Sequence, residues 1–110
     1  MDNEAWLIEI GDEIIEKKAN SSYEDLNNIE QSIYCFWVID YAVRNSGTLE
    51  PMKELHPSAI EVLLNNAQFN NWSKTINLLN LSNNEKEFCS KYYEQFEMSC
   101  NELRSAYENT

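Results

Sequence analysis

Phe88, Tyr92, Phe96, Cys100, Leu103 and Tyr107 recur at intervals of four, four, four, three and four residues. Only a period near 3.6 gathers such a series onto one side of an element, so this stretch is an amphipathic helix of unusual length. A strand, with its period of two, would divide the same residues between both faces. Glu87, Glu94, Glu97 and Glu108 fall on the opposite side of the predicted helix, apolar beneath and acidic above. Ser82-x-x-Glu85, just before it, has the spacing of a capping box.

The amino-terminal segment repeats that design. From about Glu4 to Ala19, Trp6, Leu7, Ile10 and Ile14 share one side of a helical wheel, while Glu9, Asp12, Glu13 and Glu16 gather on the other. Gly11 weakens this helix by about 1 kcal/mol relative to alanine, and Lys17 and Lys18 suit its carboxyl end. Ser21-x-x-Glu24 then reads as a second capping box, opening a central helix from about Tyr23 to Asn45 that Gly47 terminates. Leu26, Ile29, Ile33, Phe36 and Trp37 form its core stripe. From Ile33 to Val43 the chain is apolar nearly all round, which a helix tolerates only under cover from several neighbours. A strand is the competing reading of this β-branched and aromatic run, but no turn signal separates it from the amphipathic residues before it.

Glu50-Pro51 and His56-Pro57 disfavour helix at the residue before each proline, leaving room for one short turn between them. Pro57 is placed to open a helix covering Ala59, Ile60, Val62, Leu63 and Leu64. Asn65 to Trp72, with four asparagines around Phe69 and Trp72, reads as a loop with apolar anchors, and a short helix then carries Ile76, Leu78, Leu79 and Leu81. The expectation is an all-α fold: residues 1–110 as a single domain, a compact bundle of five or six helices. Thirteen aromatics supply its core.

Nineteen acidic against eight basic side chains give a net charge of −11, and the aromatic content makes that charge a property of a folded surface. Such a field repels nucleic acid and anionic membrane and draws in basic proteins. No apolar run approaches the roughly 20 residues of a membrane span, because Asp40 interrupts the longest. Met1-Asp2-Asn3-Glu4 is acidic where a signal peptide would be basic. Cys35, Cys89 and Cys100 lie within helical patterns, so they read as reduced and buried in a cytoplasmic protein.

Catalytic constellations are scarce. His56 is the only histidine and precedes a proline, and the cysteines sit in apolar patterns that raise thiol pKa. No Glu-x-x-His pair, calcium loop, zinc spacing or glycine-rich phosphate loop occurs. These features point away from an enzyme and call for no metal and no cofactor. Asp40 and Arg44, four residues apart with acid before base, predict an intrahelical pair that is at least partly buried.

The acidity itself is the functional signal. A charge of −11 exceeds the magnitude of about 2–8 that keeps a small domain soluble, and it costs stability by self-repulsion. Small size, this acidity, fifteen asparagines and an all-helical pattern resemble the immunity proteins that bacteria pair with secreted or contact-delivered toxins. Ile33 to Gly47, with Lys91-Tyr92-Tyr93-Glu94 in the last helix, also resembles a helical family containing acidic DNA-mimic proteins; where that family carries a doubled glycine this chain has Ser46-Gly47. The first resemblance implies a cytoplasmic antitoxin that binds one basic toxin, favourably a nuclease, and blocks its active site. The second implies occupation of the nucleic-acid surface of a DNA-binding protein. The expected contact residues are Glu9, Asp12, Glu13 and Glu16, with Glu24 and Asp25 beside them. Glu87, Glu94 and Glu97 form the rival face; a loop-borne Trp72 or Phe69 could supply an aromatic anchor, with core packing the favoured alternative for both. A third expectation is a subunit of a helical assembly whose acidity only aids solubility.

Overall fold

The terminal stripe lies on one uninterrupted helix in the computed structural model, which describes residues 1–110. The elements in chain order are α1 (Asn3–Asn20), α2 (Asn28–Ser46), α3 (Glu50–Leu55), α4 (Ala59–Asn70), α5 (Ser73–Asn80) and α6 (Glu85–Glu108). Two single 3₁₀ turns, Tyr23–Asp25 and Leu81–Asn83, precede α2 and α6. This is the all-α bundle that the periodicity predicts. The Ile33–Val43 run is helical, and no strand forms.

α2 is the central helix. It packs against α1, α3, α4 and α6, and that surround explains its apolar circumference. Ile33, Cys35, Phe36, Val38, Ile39 and Ala42 are completely buried. Phe36 stacks on Phe96 with ring centroids 5.6 Å apart and lies 6.4 Å from Tyr92, so the α6 stripe and the α2 core interdigitate. Truncating a buried aromatic of this kind costs about 3–5 kcal/mol. α5 completes the bundle against α4 and α6.

Three boundaries differ from expectation. The cap of α2 is Asn27, not Ser21: its Oδ1 accepts from the Glu30 amide at 2.8 Å, and Glu30 Oε1 accepts from the Asn27 amide at 3.0 Å. Ser21 instead donates to the Lys17 carbonyl at the end of α1, and the intervening 3₁₀ turn lets Leu26 enter the core. The cap of α6 is likewise Asn84, accepting from the Glu87 amide at 3.1 Å, while Glu85 reaches across to the Leu49 amide at 3.2 Å. Asparagine and serine cap about equally well, so the sequence offers both starts and burial selects one.

The third difference is Asn65–Asn70, which forms the last turn and a half of α4 rather than a loop, leaving only Asn71 and Trp72 between α4 and α5. Ala67 is buried there, and Asn66 donates to Ser32 Oγ at 2.9 Å and to the Asn28 carbonyl at 3.3 Å on α2. Asn71, in the left-handed conformation at φ 58°, ends the helix as Gly47 does for α2 at φ 69°. Pro57 sits just ahead of α4, and Pro51 lies in the first turn of α3.

Gly11, a weak point of α1 by propensity, lets α1 lie close against Trp37 of α2. A Cβ at this position would collide with Cδ1 of the Trp37 indole. No helix is long and apolar enough to cross a membrane.

Candidate partner-binding surface

Successive helix residues are turned by about 100°, so Glu9, Asp12 and Glu16 share the outward side of α1, and Glu13 flanks them one step further round. All four are exposed, as are Glu24 and Asp25 in the turn that follows, and none of the six forms an ion pair. The two lysines of α1 are turned elsewhere. Lys17 pairs with Glu30 at 2.8 Å, and the Lys18 ammonium stands 5.3 Å from the Tyr34 ring. The ridge therefore carries its negative charge without internal compensation.

On α6, Glu94 is exposed and unpaired, but Glu87 meets Lys91 at 3.6 Å and Glu97 accepts from the Asn3 amide at 2.9 Å. Trp72 does not serve as a loop-borne anchor. It is 7% exposed at the corner between α4 and α5, so its ring belongs to the core. Phe69 is 82% exposed, but on helix α4 rather than a loop.

Trp37 belongs to the predicted core stripe of α2, but the structure places it half-buried at the rim, where it floors a groove. Between α1 and α2 the groove encloses about 330 Å³ and is bounded by Glu4, Ile8, Asp12, Trp37, Tyr41 and Arg44. It continues between α2 and α3 as a space of about 530 Å³ over Trp37 and Tyr41, edged by Asn45, Pro51, Glu54 and Leu55. The Trp37 and Tyr41 rings stack at 5.5 Å with only 15° between their planes. Ile8, Tyr41 and Leu55 are 42–50% exposed, so the groove presents apolar surface inside an acidic rim. Its one legible signal was the i, i+4 spacing of Trp37 and Tyr41. The all-round apolarity of α2 concealed which residues lacked cover.

Beneath this groove lies the Asp40–Arg44 pair, partly buried as the sequence predicts. Arg44 Nε donates to Asp40 Oδ1 at 2.8 Å, and the buried Tyr92 hydroxyl donates to the same oxygen at 2.6 Å. Burial raises the Asp40 pKa above its ordinary value, and the bonds from Tyr92 and Arg44 offset only part of that rise. The Arg44 guanidinium also lies 4.7 Å from the Phe96 ring and 5.2 Å from that of Tyr93, and reaches Glu4 at 3.8 Å. Burial disfavours its charge, but the Asp40 bond and charge outweigh this and raise its pKa. The cluster ties α2 to α1 and α6 with all its members engaged.

His56, Cys35 and Cys100 are similarly occupied, whereas Cys89, expected to be buried, is only partly covered because it lies beside the core stripe of α6. His56 stacks on Tyr23 at 5.0 Å and approaches Ser58 Oγ at 3.5 Å; burial, then the charge of Lys18, lowers its pKa. The cysteines are free thiols, and burial pushes Cys35 and Cys100 up to about 12. No group of three or more acidic, histidine or cysteine side chains is arranged to hold a metal ion. Every buried side-chain nitrogen and oxygen has a hydrogen-bond partner. Comparison of the chain with protein families, curated proteins and solved structures found no match.

Proposed function

We propose that this chain is an immunity protein: a stoichiometric inhibitor, acting in the cytoplasm without cofactor, that binds a basic toxin and covers its active site. The observation that carries this reading is the α1 ridge, whose carboxylates have no counter-ion, beside an exposed aromatic floor. Unpaired surface charge steers a cationic partner and raises association rates to about 10⁸ M⁻¹s⁻¹ or more. Binding energy then concentrates in aromatic contacts near the centre of an interface, which Trp37 and Tyr41 supply. A nuclease is the favoured target class, because a site built for phosphates is cationic and is filled by carboxylates.

The test has two arms. Co-production should protect cells from one toxin, and the purified chain should form a one-to-one complex with that toxin's catalytic domain. The combined variant Glu9→Gln, Asp12→Asn, Glu13→Gln and Glu16→Gln should then associate at least about tenfold more slowly at low salt, with a flattened salt dependence. Its folding stability should stay within about 0.5 kcal/mol of the parent, because these residues brace nothing. Undiminished association would remove the ridge from the interface. Capture of a DNA-binding repressor in competition with DNA, with no cell protected, would give the molecule to the DNA-mimic reading.

A further inference from the structure

We propose that the α2–α3 half of the groove receives an arginine side chain of the basic protein partner; this rests on the reading of that partner as basic. The space of about 530 Å³ is large enough for one long side chain, and its lining is ordered for a cation with an apolar stem. Pro51 and Leu55 offer apolar wall, the Trp37–Tyr41 stack offers a flat π face, and Glu54 supplies a carboxylate engaged in no ion pair. The Asn45 side chain adds a carbonyl acceptor at the edge.

A planar guanidinium fits this arrangement better than an ammonium. It stacks on aromatic faces and bonds a carboxylate with two parallel donors. The molecule uses the same recipe internally, where Arg44 lies 4.7 Å from the Phe96 ring while bonded to Asp40. No cation of this chain fills the space. Arg44 is committed to Asp40, and Lys53, on the same short helix as Glu54, is turned to Glu50 and Glu85. A second copy of the chain is a poor occupant, because two surfaces of charge −11 repel.

The probe is a blocked Gly-Arg-Gly peptide against its citrulline counterpart, which keeps the shape and loses the charge, titrated into the full chain at about 150 mM salt. Two-dimensional NMR should show the Trp37 indole and Asn45 side-chain signals moving with the arginine peptide and remaining still with citrulline. Glu54→Gln and Tyr41→Ala should each weaken that response at least about fivefold. Glu94→Gln, an equal change of charge on α6, should leave it unaltered. Equal responses to both peptides, movement confined to the α1 ridge, or an unaffected Glu54→Gln would overturn the inference. The two readings fail separately. A chain that neutralises its toxin while the groove ignores arginine loses only the inference, and one that binds arginine there but holds no basic protein loses only the inhibitor reading.

Discussion

α1 and α6 are built to the same plan, an apolar stripe below and glutamates above, yet their carboxylates have opposite duties. Three of those on α6 are cross-braces. Glu85 holds the Leu49 amide and Glu97 holds the Asn3 side chain, while Glu108 meets Arg104 at 3.7 Å within α6 itself. Glu102 does most: it accepts from the Lys74 amide at 3.0 Å, the Thr75 amide at 2.7 Å and the Thr75 hydroxyl at 2.8 Å. It thereby caps α5, whose own N-cap residue, Trp72, has no side chain to offer the first-turn amides. On α1, by contrast, only Glu4 touches a cation, while Glu9, Asp12, Glu13 and Glu16 touch none. A carboxylate that stabilises nothing and repels its neighbours is tolerable when something outside the molecule uses it.

This contrast is open to direct attack, most severely at Glu102. Glu102→Ala should lower folding stability by about 2–3 kcal/mol in urea denaturation, since two amides and a hydroxyl lose a charged acceptor at once. A loss below about 1 kcal/mol would mean that α5 does not depend on its brace.

If α1 owes nothing to its outward acids, packing must hold it, and at Gly11 that packing leaves no room for a Cβ. Alanine gains about 1 kcal/mol in helix propensity but would press into the base of a rigid indole that also supports Tyr41. Gly11→Ala should therefore destabilise by about 1–2 kcal/mol and alter the tryptophan fluorescence; a stabilised variant would show that α1 sits less closely on α2.

The smallest effect is expected at Glu30, which joins α1 to the cap of α2 through Lys17. Burial pushes its pKa up, but the Lys17 bond, the Asn27 amide and the lysine charge together hold it below the ordinary 4.5. A depressed carboxylate contributes stability above the unfolded-state pKa and loses it as pH falls through the folded one. Parent and Glu30→Gln should thus differ by about 0.5–1 kcal/mol near pH 7, discounted for the half-exposed lysine, and converge as the pH falls below 4.5 and through the depressed folded-state pKa. A constant difference across that range would assign the effect to the capping geometry instead of the charge.

Much of the fold could be read without coordinates. The periodicities of α1 and α6, the terminator at Gly47 and the Asp40–Arg44 pair are local properties, fixed by spacing and backbone preference. The helix starts were not legible in the same way, because Ser21 and Asn27, or Ser82 and Asn84, are chemically equivalent caps until Leu26 and the 3₁₀ turns find their places. The asparagine-rich end of α4 is helical against its propensity. Ala67 is buried there, and Asn66 is bonded to α2.

The candidate site was legible as charge and, in its aromatic floor, only as the i, i+4 spacing of Trp37 and Tyr41. By itself the sequence determined that the chain folds into helices, that two of them carry acidic outer faces, and that the surface as a whole is strongly negative, because these follow from residue type and spacing along one helix. Tertiary structure alone decided that Glu9, Asp12, Glu13 and Glu16 stay uncompensated while Glu85, Glu97 and Glu102 of α6 bond to other helices and loops, that Trp72 turns inward, and that Trp37 and Tyr41 floor an open groove. Exposure and pairing are relations between helices, set by which faces meet when the core closes, and no single helix carries that information.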